Sequence, residues 1–161
     1  MTDVDRISTI LPQLRSAITL HPSFPRPGIL FYDILPLFSD PSLHSLLLEA
    51  LLLQIKSSFS YEEIDVIVAL ESRGFLFGPS LALQLNAGFV PIRKKGKLPG
   101  KVETATYEKE YGDDAFEIQK GVIKSGQKVL IVDDLIATGG SASCAEKLVQ
   151  SLGGDVVGFM F

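Results

Sequence analysis

The stretch Val129-Leu130-Ile131-Val132-Asp133-Asp134-Leu135-Ile136-Ala137-Thr138-Gly139-Gly140-Ser141 decides how this chain folds. An unbroken apolar run, Lys128 to Val132 with its polar first residue, reads as a strand buried on both faces, because a half-exposed strand would alternate. Two acids end the run. A loop of small residues follows, and a helix is expected from about Gly140 to Leu152. Gly153-Gly154 stops that helix, and Val156 to Phe161 reads as a further strand. Strand, polar loop, helix and strand form the repeating unit of an open α/β sheet with right-handed crossovers.

Upstream, the same unit recurs. Ile64 to Leu70 is an apolar, largely β-branched run, broken only by Asp65 near its start and followed by the polar loop Glu71-Ser72-Arg73-Gly74. Phe75 to Leu85 reads as a helix with Pro79 early in it, and Phe89 to Ile92 as a second strand. Residues 93–115 hold many Lys, Glu, Gly and Thr and few large apolar residues, so a long surface loop or flexible excursion is expected. Phe116 to Val122 is short and amphipathic, and Ser125-Gly126 is a turn. Nearer the start, Val4, Ile7, Ile10, Leu11, Leu14 and Ile18 keep helical spacing over residues 4–20, with Pro12 either kinking the helix or starting its main part. His21 to Gly28 holds three prolines and a glycine, the composition of an irregular loop. Ile29 to Phe31 is a short extended piece. Asp40-Pro41 starts a helix to about Ser57 whose leucines lie on more than one side, so it is expected to be largely buried. The fold class is α/β: an open, mostly parallel, twisted sheet flanked by helices. No repeat or low-complexity segment interrupts it.

Composition narrows the function. The 161 residues are 46% hydrophobic and 21% charged, the balance of one globular domain with its own core. A single cysteine, Cys144, excludes an intramolecular disulfide and argues against a thiolate zinc site. It lies near a helix start, which lowers a thiol pKa, yet no base is spaced beside it, so it reads as a core or surface thiol. His21 and His44 lack ligand spacing. The net charge of −4 argues against general nucleic-acid binding. The basic segment Arg93, Lys94, Lys95, Lys97 and Lys101 lacks the interleaved aromatics of a stacking platform. The longest apolar run, Leu46 to Leu53, is broken by Glu49 and is too short to span a membrane. With Asp3 and Asp5 near the start and no signal-peptide pattern, a cytoplasmic protein is expected.

Ligands of open α/β sheets bind beyond the carboxyl ends of the strands. Two loops leave such ends. After Val132, the small residues Ala137 to Ser141 let a backbone rich in N–H groups approach a phosphate, and the helix start adds donors and a favourable dipole. The paired acids suit sugar hydroxyls and a phosphate-bound Mg²⁺. The bland alternative is a capped strand-to-helix turn with solvated acids. No Gly-Lys-Ser/Thr follows, so this is not a nucleoside-triphosphate P-loop, and it lacks the spaced glycines of a dinucleotide fold. After Leu70, Ser72-Arg73-Gly74 offers a guanidinium and backbone donors to a polyanion, although a lone arginine after a strand is commonly just solvated.

The Val129 to Ser141 string resembles the phosphoribosyl-pyrophosphate (PRPP) signature of the type I phosphoribosyltransferases. The stretch Leu70 to Ser80, with Glu71-Ser72-Arg73-Gly74-Phe75-Leu76-Phe77-Gly78-Pro79, resembles the pyrophosphate loop and following helix of the adenine phosphoribosyltransferases among them. Arg93 to Gly100 resembles that family's basic segment, Tyr107 to Gly112 the catalytic part of its flexible loop, and Phe24-Pro25 through Gly28 to Asp33 its base-covering hood. The five motifs keep the family's order from about residue 20 to the end.

The resemblance implies one phosphoribosyltransferase domain over residues 1–161, with a helix and hood at 1–35 and a flexible loop at 93–115. It implies transfer of the phosphoribosyl group of PRPP to adenine, giving AMP and pyrophosphate in purine salvage, with Mg²⁺ as cofactor, a homodimer as the assembly, and no nucleic-acid or membrane partner. By the same resemblance, Ala137, Thr138, Gly139, Gly140 and Ser141 cradle the 5′-phosphate. Asp133 and Asp134 hold the ribose hydroxyls and help to organise the Mg²⁺ shell. Glu71, Ser72 and Arg73, joined by Lys94, Arg93 and Lys97, meet the pyrophosphate, with a non-proline cis peptide at Glu71-Ser72. Ile29, Leu30, Phe31 and Tyr32 contact adenine; many relatives carry Arg where Tyr32 stands. Glu110, with Tyr111 beside it, is the candidate acid or base, against the bland reading of a solvated loop carboxylate. The reacting centre is oxocarbenium-like, so water must be excluded from it, and the loop of 95–115 has the composition of a lid. Relatives continue past Phe161 with more strand and a tail, so the chain is expected to be short at that end. Three rival readings remain: a PRPP-binding regulator without transferase chemistry, a phosphoacceptor receiver domain, and a transferase for another purine base.

Overall fold

The computed structural model describes residues 2–60, 63–109 and 112–161. The chain divides into two compact units, Met1–Ser58 and Phe59–Phe161.

In the first unit, α1 (Asp3–Ala17) begins with a capping box. The Asp5 N–H donates to Thr2 Oγ1 (3.2 Å) and the Thr2 N–H to Asp5 Oδ2 (2.9 Å), which occupies donors that a helix start leaves open. The helix therefore starts well before Pro12 and continues through it, rather than beginning there. It stops at Ala17, short of the expected residue 20, because Thr19–Pro22 (β1) pairs antiparallel with Leu30–Asp33 (β2). His21 and Pro22, expected in an irregular loop, are thus strand, and Phe24 packs edge-on against Phe31 at 5.1 Å. After α2 (Pro36–Ser39), Asp40 caps α3 (Pro41–Ser58): its Oδ1 accepts the N–H groups of Ser42 and Leu43 at 2.7 and 3.2 Å. Ile10, Leu14 and Leu37 form the centre of this unit's core, with Leu43, Leu46, Leu47 and Ala50 of α3 packed around them. Arg6 grips Glu49 with two bonds, at 2.6 and 2.8 Å. The expectation of a largely buried α3 is corrected: only Ile55 is fully buried, and the leucines that run round more than one side of the helix are half-buried.

The second unit is a six-stranded sheet. Its members are β3 (Val66–Leu70), β4 (Gly88–Lys94), β5 (Val102–Lys109), β6 (Gly112–Gln119), β7 (Lys128–Val132) and β8 (Asp155–Met160), in the order β5-β6-β4-β3-β7-β8. The β4-β3-β7-β8 portion is parallel; β6 runs antiparallel to β4, and β5 to β6. Every residue of β3 is buried, as its unbroken apolar run requires. On one face, Val66, Val68, Leu70 and Ile131 pack with Cys144, Ala145, Leu148 and Val149 of α5 (Gly140–Ser151). On the other lies α4 (Gly78–Gln84), preceded by a 3₁₀ turn, Arg73–Leu76, where a continuous helix was expected. Pro79 sits in the first turn of α4, where its missing N–H does no harm.

The expectation of a long loop over 93–115 is also corrected. Apart from its tip, the segment is dominated by the β5-β6 hairpin on the sheet edge, and β6 also absorbs the amphipathic Phe116 stretch. Large apolar residues are few in β5 because the inward positions hold Ala105 and Tyr107, which suffice against the core; Tyr107 stacks on Phe116 at 4.9 Å. Cys144 is a core thiol. Burial pushes its pKa up, and its Sγ–H donates to the Ala105 carbonyl at 3.3 Å.

Candidate active site

The chain steps from β3 to β4 on one side and from β7 to β8 on the other. The crevice beyond the carboxyl ends of β3 and β7 is therefore the point where the strand order reverses. A cavity of about 410 Å³ lies there. Residues at or just past the ends of all four parallel strands line it: Glu71, Ser72 and Arg73 after β3, Lys94 at the end of β4, Asp133 to Ala142 after β7, and Phe161 after β8.

Most of the residues singled out in sequence meet here. Asp133 leaves β7 with its N–H still bonded to the Met160 carbonyl (3.1 Å), so the sheet fixes its backbone. Its Oδ1 accepts the Asp134 N–H at 3.0 Å. Burial, with the Asp134 charge beside it, pushes the Asp133 carboxyl up to about 7, against the opposing pull of the Asp134 N–H and the Arg73 guanidinium. Asp134 is only 11% exposed and pairs with Arg73, Oδ2 to Nε, at 2.6 Å. Gly74 makes this closeness possible. A Cβ at that position would stand 3.0 Å from the Val132 carbonyl and 3.3 Å from Asp133 Oδ1, so any side chain would push the arginine loop off the end of β7.

Beyond the acids, Leu135, Ile136, Ala137 and Thr138 are exposed along the cavity wall. Gly139 takes a left-handed conformation (φ 84°) at the N-cap of α5, and no side chain caps that helix. The N–H groups of its first turn are thus presented to the cavity, a ready anion site. Across the cavity, the Glu71-Ser72 peptide is cis. The Glu71 side chain is held by Arg93, whose Nε and Nη2 donate at 3.1 and 3.3 Å, and by the Lys94 N–H at 3.1 Å. The Arg93 guanidinium keeps the Glu71 carboxyl below the usual range.

Arg93 and Lys97 do not line the cavity: Arg93 reaches Glu71 and also donates to the Lys97 carbonyl at 3.0 Å. Ile29, Leu30, Phe31 and Tyr32 belong to the first unit, where Ile29, Leu30 and Tyr32 are exposed. Glu110 and Tyr111 lie outside the described residues. Sequence reasoning missed Leu135, Ile136 and Phe161 as lining groups; an apolar pair directly after paired acids was the available signal for the first two. Among the described residues, no group of three or more His, Cys, Asp or Glu side chains gathers to hold a metal. Among the described residues, no helix is long and apolar enough to cross a membrane.

Comparison with known proteins agrees with this geometry. The phosphoribosyl transferase domain family matches residues 44–160. Adenine phosphoribosyltransferase of Yarrowia lipolytica is 53% identical over 155 residues, covering 96% of this chain and 85% of that protein. The enzyme named adenine phosphoribosyltransferase 1 of Saccharomyces cerevisiae is also 53% identical, covering 96% and 83%. The crystal structure of the Saccharomyces cerevisiae enzyme, complexed with adenine and an imino-altritol bisphosphate, superposes with a TM-score of 0.88 at 51% identity, covering 95% of this chain and 90% of that one.

Proposed function

This chain belongs to the phosphoribosyl transferase family and is an adenine phosphoribosyltransferase, a pentosyltransferase that makes AMP and pyrophosphate from adenine and PRPP; from that premise we propose how its own residues divide the work. The observation that carries the proposal is the cavity at the strand-order reversal, with an uncapped helix start on one wall and Arg73 and Lys94 on the other.

The α5 start, with Ala137, Thr138, Gly139, Gly140 and Ser141, takes the 5′-phosphate through backbone N–H groups and the two hydroxyls. Asp133 and Asp134 accept the ribose hydroxyls. Ser72, Arg73 and Lys94 bind the pyrophosphate, which competes with Asp134 for the Arg73 guanidinium. Glu71, Arg93 and Lys97 act one step back, shaping the segment that carries Lys94. Ile29, Leu30, Phe31 and Tyr32 contact adenine, and Glu110 beside Tyr111 exchanges a proton with its imidazole ring. Support for these last two assignments comes from the motif resemblance.

Mg²⁺ fits this donor set. Asp133 and Asp134 are adjacent carboxylates in a partly buried place where the Asp133 charge is poorly compensated, which a cation would relieve. With so few protein ligands, the metal would be held largely by the substrate's phosphates and by water, the usual habit of Mg²⁺. When bound, it offsets charge on the leaving pyrophosphate. The family resemblance further supports a homodimer working in the cytoplasm.

The deciding experiment separates the two substrates kinetically. Thr138→Val and Arg73→Ala raise KM for PRPP while KM for adenine stays within about twofold, and Tyr32→Ala does the reverse. If Arg73→Ala and Thr138→Val change only the adenine KM, the placement of PRPP in this cavity is wrong.

A further inference from the structure

Glu117 is buried, at 5% exposure, and lies outside the cavity. It stands in β6 directly opposite Arg93 of β4. Its carboxylate turns to the chain just past β4: Oε2 accepts the Gly96 N–H at 2.9 Å, and Oε1 accepts the Thr104 hydroxyl at 3.4 Å. A carboxylate so far out of water is kept only where donors compensate it. Here a principal donor is the backbone of the basic segment itself.

The segment is held at every step. The Lys94 N–H goes to Glu71 Oε2 (3.1 Å), the Lys95 N–H to the Ala115 carbonyl (3.0 Å), the Gly96 N–H to Glu117, and the Lys97 N–H back to the Lys94 carbonyl (3.2 Å). Lys94 thus lies between two carboxylate anchors, Glu71 on the cavity side and Glu117 on the hairpin side. Without the second anchor, the 95–97 turn keeps the Lys95 and Lys97 N–H bonds and the Arg93 bond to the Lys97 carbonyl, and the chain leaving Lys94 is held less tightly on its hairpin side.

We propose that Glu117 is a positioning residue for PRPP binding: its carboxylate, by fixing the Gly96 turn, sets where the Lys94 ammonium meets the pyrophosphate. The inference rests on the assignment of Lys94 to pyrophosphate made above. It requires an acceptor oxygen of the right reach and does not require charge at position 117. Gln keeps that reach without charge, while Asp keeps the charge but withdraws the oxygen by one methylene.

The test is steady-state kinetics on Glu117→Gln, Glu117→Asp, Glu117→Ala, Lys94→Ala and the Lys94→Ala/Glu117→Ala double variant, with melting temperature read in parallel. Glu117→Asp and Glu117→Ala are expected to raise KM for PRPP about tenfold with KM for adenine within about twofold, the size of one mispositioned charge-assisted contact. Glu117→Gln restores the PRPP KM to within about threefold. In the double variant the PRPP KM is no higher than in Lys94→Ala alone, because Glu117 acts through Lys94. If Glu117→Ala does not fold, the Gln and Asp pair decides by itself. Equal PRPP KM values for Gln and Asp overturn the inference, as does a double variant in which the two effects multiply. If Lys94→Ala leaves the PRPP KM unchanged, the pyrophosphate assignment fails and the inference falls with it, an outcome distinct from the other two.

Discussion

The two halves of the sheet serve the site differently. In the parallel half, the central strands β3 and β7 are buried on both faces and end together, and the residues just past them form most of the cavity. Asp133 is held by a β-ladder bond and Arg73 by a glycine that lets its loop touch the neighbouring strand. In the antiparallel half, a hairpin packs on the core through alternate residues of modest size, and its polar groups reach sideways to the basic segment. One half supplies groups whose place follows from the sheet. The other supplies Glu117, an anchor for the turn that follows Lys94 at the end of β4. Burying a strand end immobilises whatever comes next, whereas an edge hairpin must tie its neighbours down bond by bond.

The largest expected effect belongs to neither half as described and sets the scale against which both are read. Glu110→Ala lowers kcat by about 10² to 10⁴, the range for losing a general acid or base, with PRPP binding retained by equilibrium titration. Unchanged turnover would overturn the proton exchange proposed for Glu110. On the parallel side, Asp134→Asn weakens PRPP binding by about tenfold, since the ribose loses a charged acceptor, a loss that outweighs releasing Arg73 from its competing pair. Isothermal titration with PRPP and Mg²⁺ reads this directly.

Asp133 sharpens the contrast through pH. Its folded pKa, about 7, stands above the unfolded value of 3.8, so the native state binds the extra proton between these limits. Its contribution to stability is fully present below the unfolded value and is lost as pH rises through 7. Asp133→Asn removes that penalty. Its stability relative to the parent chain therefore climbs between pH 4 and pH 8 by on the order of 4 kcal/mol and then levels off. Urea melts across this range check it; a difference that does not vary with pH contradicts the burial account. The smallest effect is a control on the hairpin. Lys120→Ala breaks the exposed 2.7 Å pair with Glu103, which is worth no more than about 0.5 kcal/mol and leaves both KM values alone.

The strands β3 and β7, the helix α5 and both polar loops were legible because a doubly buried strand must be apolar throughout and a phosphate cradle must be small. The β5-β6 hairpin was not. Its inward residues Ala105 and Tyr107 carry too little apolar contrast against Thr104, Thr106 and the charged neighbours for alternation to stand out. Nor was the 3₁₀ turn before α4 legible, since Phe75, Leu76 and Phe77 fit helix spacing equally well.

The sequence by itself determined the sheet's central strands, the acid pair with its phosphate-type loop, and the family to which they belong, because each depends on residues adjacent in the chain. Tertiary structure alone decided which cations reach the cavity. Arg93 and Lys94 are neighbours in one basic run, yet in a strand successive side chains point to opposite sides. Arg93 is therefore spent on Glu71, while Lys94 faces the site between anchors drawn from two other strands' surroundings, at Glu71 and Glu117.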